Sequence, residues 1–97
     1  MPGYTLSRLA VRDLNEIANY TCERWGAAQA IEYVEGLRAL CRKLAETPAI
    51  GRECDDVRAG LRRMEGSRHV IFFRVKAGGI VVSRILHQTM LPGLHQQ

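Results

Sequence analysis

Six side chains in the second half of this sequence have the types and spacing that chemistry could use: Arg62, Arg63, Arg68, Arg74, Arg84 and His87. Arg74, Arg84 and Arg62 fall on strand-like runs, where neighbouring strands set side chains next to one another. A guanidinium cluster of this kind could hold an RNA phosphate, with His87 as general acid or base. It could equally dock a carboxylate-rich protein surface or simply solvate a sheet face. Nucleophilic catalysis has weaker material. Ser67 with His69 and Ser83 with His87 could each share a sheet face, but neither strand carries a carboxylate to orient the imidazole. Gly78-Gly79 reads as a hairpin turn, since it lacks the strand-loop-helix setting of a phosphate loop.

These residues need elements to position them. Tyr4-Thr5-Leu6 alternates as a short strand, and Ser7 offers a helix N-cap. Ala10, Leu14, Ile17, Ala18, Thr21 and Trp25 then trace one face of an amphipathic helix, which Gly26 ends. Ala30, Tyr33, Val34, Leu37, Leu40, Cys41 and Leu44 give a second and stronger stripe, closed before Pro48. One or two residues between two long helices force an antiparallel hairpin. Residues 47–60 lack periodicity and read as a connecting loop, long enough to suggest a role beyond connection. Leu61–Glu65, His69–Val75 and Ile80–His87 read as strands, and the tail from Met90 as fraying.

The predicted order is β-α-α-β-β-β over residues 1–97, one α+β domain with the helical hairpin on one face of a small antiparallel sheet. Alternation places Val70, Phe72 and Val82 on one sheet face and Ile71, Phe73 and Ile85 on the other. One hairpin covers one face, so the second calls for the tail or another protein. Trp25 is the only Trp. It either plugs the open end of the hairpin or anchors a partner, and its place on the apolar stripe favours the core.

Length, charge and cysteines bound the function. Ninety-seven residues suffice for one core. The first fifty carry six basic and six acidic side chains; the rest carry eight basic and four acidic, so the whole surplus of +4 lies in the second half. Twelve of the fourteen basic residues are Arg, suited to planar contact with carboxylate or phosphate. The apolar runs are strand-sized, so no membrane span is expected. The amino terminus lacks a charged and apolar leader, so a cytoplasmic protein is expected. Three Cys (22, 41 and 54) with no C-x-x-C pair or zinc-ligand spacing predict neither disulfide framework nor metal site, and no cofactor motif appears.

Several motifs occur together: Trp25-Gly26 between the helices, P-x-I-G-R at 48–52, G-L-R-R at 60–63, S-x-H-V-I-F-F-R at 67–74 and R-I-L-H-Q at 84–88. In this combination the chain resembles the ParE toxins of type II toxin–antitoxin modules, within the RelE/ParE superfamily. The resemblance implies a β-α-α-β-β-β fold, a ParD-type antitoxin that wraps the toxin in a hetero-oligomer, and DNA gyrase as the target of the free toxin. It implies no sequence-specific nucleic-acid binding by the chain alone. Partner contacts then fall to Arg58, Arg62, Arg63, Arg68, Arg74, Arg84, His87 and Trp25. RelE relatives instead cleave messenger RNA on the ribosome, which here would use Arg62, Arg84 and His87. Two Lys are too few for a Lys-rich nuclease cluster. The family tail usually has Arg and Asp where this chain has Thr89 and Leu91.

Overall fold

The computed structural model describes residues 2–66 and 68–88. Ser67, Thr89, Leu91 and the tail from Met90 lie outside the described residues. Ser7, in extended conformation, caps helix α1 (Arg8–Trp25): its Oγ accepts from the Ala10 N–H at 3.0 Å. The stripe buries Ala10, Leu14, Ile17 and Thr21. Gly26 is the single residue before helix α2 (Ala27–Glu46), and its φ of 95° is one that side chains rarely adopt. Its N–H donates to the Cys22 carbonyl at 2.8 Å, closing α1 as the chain reverses. On α2, Ala30, Leu37, Cys41, Leu44 and Ala45 are buried. Burial pushes the Cys41 thiol up to about 11, so it packs as a small apolar group.

Five strands form one sheet: β1 (Gly3–Leu6), β2 (Arg52–Glu53), β3 (Arg62–Glu65), β4 (His69–Lys76) and β5 (Gly79–His87), in the order β1-β5-β4-β3-β2. Two expectations need correction. The sheet is mixed, because β1 runs parallel to β5 while the other pairs are antiparallel. The helices cause this. Eighteen and twenty residues give nearly equal lengths, so the hairpin returns the chain to the end of the sheet from which β1 left it. β2 therefore opposes β1, and three further reversals leave β5 parallel to it. Residues 47–60, read as a connecting loop without periodicity, also contain regular structure. They hold a 3₁₀ turn at Pro48–Ile50 and the edge strand β2, paired with β3.

The face assignment also changes. Opposite Phe72 stands Arg84, but opposite Phe73 stands Val82, so Ser83 is an extra residue in β5. This bulge moves Val82 onto the helix-facing core with Ile71, Phe73, Ile80 and Ile85. On the second face the chain supplies part of its own cover: Cys54 and Leu61 pack on Val70, Phe72 and Leu86. The loop holding them is fixed by hydrogen bonds from the Cys54 N–H to the Leu61 carbonyl at 2.9 Å and from the Gly60 N–H to Asp55 Oδ1 at 3.0 Å. The other end of that face stays open.

Candidate functional site

β1 pairs with β5 only as far as Val82, leaving the next backbone groups of β5 without a strand partner. The backbone of Ser7 and the side chains of Ser7 and Asp13 take them. The Ser7 N–H donates to the Val82 carbonyl at 2.9 Å, and Ser7 Oγ–H to the Ser83 carbonyl at 2.7 Å. The Ile85 N–H donates to Asp13 Oδ2 at 3.0 Å. Asp13 is buried, and Arg84 grips the same carboxylate with Nε at 2.8 Å and Nη2 at 3.0 Å. That bidentate bond holds the Arg84 pKa above its ordinary value. Arg84, read from sequence as a candidate for partner or phosphate contact, is thus first a clamp between α1 and β5. Asp13 was missed. It follows Ala10 by three residues and precedes Ile17 by four, and a carboxylate on a buried stripe is itself a signal of a partner.

The arginine set divides. Period-two alternation puts Phe72, Arg74 and Lys76 on the second sheet face with their β5 partners Arg84 and Val81. There, beside the loop that covers Phe72, a groove of about 700 Å³ is lined by Arg58, Arg74 and Arg84. Arg8 and Lys76, which sequence reading did not single out, line it too. Arg62 was expected to join Arg74 and Arg84 on one face and does not. It stands opposite Phe73 of the helix-facing core, with Nη1 donating to the Gly51 carbonyl at 2.7 Å and Nη2 to Glu53 at 3.3 Å. Arg63 and Arg52 both pair with Glu65, at 3.7 and 2.7 Å. Arg68 is exposed at the β3–β4 turn, its N–H donating to the Tyr33 hydroxyl at 3.4 Å.

His87 lies at the far end of β5, opposite His69, with the two rings edge to face at 5.2 Å. Tyr33 on α2 completes the group, its hydroxyl 2.6 Å from His69 Nδ1. Burial, with His87 and Arg68 adding to it, lowers the His69 pKa to about 4. The ring is therefore neutral near pH 7, Nδ1 accepts from Tyr33, and burial holds the tyrosine pKa above its usual value. The bulge separates Ser83, in the groove, from His87, on the helix side. The expected shared face of these two residues does not form.

One pH dependence follows. The unfolded imidazole takes its proton near 6.5 and the folded one near 4, so between these values the unfolded chain binds more protons. This contribution is complete above pH 6.5 and is lost on acidification toward pH 4. Urea midpoints of His69→Gln across that range will fall less steeply than those of the native chain; parallel slopes would contradict the assignment.

Trp25 corrects a further expectation. It is 60% exposed, not a core plug. It is the last residue of α1, at the turn, where α2 has only begun and offers little to pack against.

Two helices on one face of a mixed five-stranded sheet, with a cation-lined groove on the other face, define a small basic α+β domain. The same fold occurs in a chain of the chromosomal ParDE TA system from P. aeruginosa, with a TM-score of 0.74 and 24% identity over 90% of this chain and 96% of that one. Residues 4–92 match the family described as ParE toxin of type II toxin-antitoxin system, parDE. The chain is 40% identical over 95 residues to Toxin ParE1 of Caulobacter vibrioides, covering 98% of each. It is 41% identical over 88 residues to Toxin ParE1 of Mycobacterium tuberculosis, covering 90% of each. It is 32% identical over 91 residues to Toxin ParE of Escherichia coli, covering 93% of this chain and 88% of that one. The chain belongs to the ParE toxin family. No helix among the described residues is long and apolar enough to cross a membrane.

Proposed function

We propose that the chain is a non-enzymatic toxin, held inactive by a ParD-type antitoxin and, when free, inhibiting DNA gyrase in the cytoplasm. The observation that carries this reading is the match along residues 4–92, joined to relatives that align over nearly their whole length. The side chains support binding over ribonuclease chemistry. Arg62 is engaged by Gly51 and Glu53, Arg84 by Asp13, and strand β4 lies between the two. Neither guanidinium is poised with His87 around a common phosphate. Partner contacts fall instead to exposed or half-exposed members of the set, Arg58, Arg68, Arg74 and His87, with Trp25 as an apolar anchor.

Induced expression without antitoxin is expected to stop growth with filamentous cells, and coexpressed antitoxin to restore it. Purified chain should block supercoiling by gyrase or trap cleaved DNA. Transcripts cut on ribosomes, with cutting lost in His87→Ala, would overturn this reading in favour of a RelE-type nuclease. For Trp25→Ala, chemical denaturation should show a change within about 0.5 kcal/mol, since little is buried there. Its antitoxin affinity should fall by about tenfold or more, as for exposed aromatic anchors of interfaces. Unchanged affinity in a titration would remove Trp25 from the interface.

A further inference from the structure

The fold neutralises its basic surplus unevenly. Arg52, Arg62, Arg63 and Arg84 each have a carboxylate within 4 Å. Of the described cations without such an ion-pair partner, Arg8, Arg58 and Arg74 come together in one place, beside Lys76, which reaches the Thr5 hydroxyl at 3.3 Å. These four come from three separate stretches: the start of α1, the β2–β3 loop and the end of β4. All four line the same groove. No Asp or Glu is among its lining residues, and the nearby Asp13 is spent on Arg84 and Ile85. Like charges gathered without counter-charge raise the free energy of the isolated domain and favour an anionic ligand.

The apolar part of the groove narrows the ligand's chemistry. Leu9 is 47% exposed at its rim, and Val81, the cross-strand partner of Arg74, lies within it. A phosphate backbone would leave these side chains without apolar partners. The lining also has no aromatic ring on which a base could stack. A peptide bearing both carboxylates and apolar side chains meets both halves of the surface.

We propose that this groove, on the uncovered end of the second sheet face, seats an acidic, apolar-bearing segment of the antitoxin. Its carboxylates meet Arg8, Arg58, Arg74 and Lys76, and its apolar side chains cover Leu9 and Val81. The inference rests on the antitoxin reading above and adds a location and a chemistry to it. It leaves Arg62 and Arg63, which are already paired, outside the contact.

The test uses the full chain, a fluorescein-labelled synthetic peptide alternating Glu and Leu, a Glu–Ser peptide, a DNA oligonucleotide and the purified antitoxin. The Glu–Leu peptide should bind more tightly than the Glu–Ser peptide, and the antitoxin should displace it. Arg58→Glu with Arg74→Glu should weaken both peptide and antitoxin by about tenfold or more. A charge-matched control on the exposed face of α2, Arg42→Glu with Lys43→Glu, should change both less than threefold, a margin well under the tenfold that ~1.4 kcal/mol produces. The neutral pair Arg58→Gln with Arg74→Gln should reproduce the direction of the loss if the reversal pair fails to fold. Equal loss in groove and control pairs would reduce the effect to net charge and overturn the site. So would tighter binding of the oligonucleotide than of the Glu–Leu peptide. Antitoxin that never binds the native chain would defeat the antitoxin reading itself. Antitoxin that binds the native chain and the groove variants alike would defeat only this location.

Discussion

Asp13→Ala will lower the free energy of unfolding by about 3 kcal/mol, measured by urea denaturation. The residue is 8% exposed and accepts three hydrogen bonds, from Arg84 Nε, Arg84 Nη2 and the Ile85 N–H. Truncation leaves that N–H at a position where β1 no longer reaches, and an unmade buried backbone bond costs about 1–3 kcal/mol. Arg84 loses its carboxylate as well, but its side chain is 38% exposed and can turn to water, so the full penalty of a stranded buried charge does not apply. Asp13→Asn separates the two contributions. Its side-chain carbonyl can still accept from Ile85 while the ion pair is gone, so about half the loss is expected. For a domain of this size ~3 kcal/mol corresponds to roughly 12–24 °C in Tm. Asp13→Ala within 1 kcal/mol of the native chain would show that the carboxylate does not substitute for the missing strand.

That clamp explains where sequence reading stopped. Both helices, their one-residue turn and the three C-terminal strands were legible because each depends on local patterning: the Ser7 cap, the 3.6-residue stripes, and the β-branched and aromatic runs of β4 and β5. The direction of β1 was not, because it depends on two helices being nearly equal in length, a property of the whole hairpin and of no single segment. The bulge at Ser83 escaped for a related reason. Strict alternation along Ile80–His87 assigns Val82 and Ile85 to opposite faces, and only the register against Phe72 and Phe73 shows that they share one. Once the register slips, the residues expected to cluster are redistributed.

The structure regroups the arginines that the sequence singled out. Arginine excess pointed to the second half of the chain, but composition cannot say which guanidinium has a carboxylate beside it, nor bring in Arg8. Arg62 and Arg63 lie on β3 next to Glu53 and Glu65, which β2 and the strand end bring within reach. Arg74 sits in a strand with no acidic neighbour and stays unpaired. Arg8 joins it from the other end of the sequence, because Ser7 fastens the start of α1 to Ser83. A site assembled from three distant segments follows from the sheet order, and no motif spacing encodes it. Tyr33 was read only as an apolar position on its stripe, yet its hydroxyl holds His69.

Gly51→Ala will destabilise the fold by about 1–3 kcal/mol although its backbone is one that alanine adopts easily. At φ −82° and ψ 146° the substitution relieves chain entropy in the unfolded state, which alone would stabilise by about 0.4–1 kcal/mol. Sterics reverse the sign. A Cβ at this position would fall 2.5 Å from Phe73 Cζ and 2.7 Å from Cε1. Phe73 is fully buried in the helix-facing core and has no free rotamer to retreat into. The glycine of the P-x-I-G-R motif is therefore a packing requirement: the 3₁₀ turn must pass directly over the Phe73 ring for β2 to reach β3. A double-mutant cycle tests this against a general loss of loop order. Phe73→Leu alone leaves a cavity and destabilises, but it removes the ring edge that Gly51→Ala would strike. The double variant should then be more stable than the two single losses predict when added, by about 1 kcal/mol or more. Strict additivity would place the cost of Gly51→Ala elsewhere than in Phe73, and with it the reason for glycine at this turn.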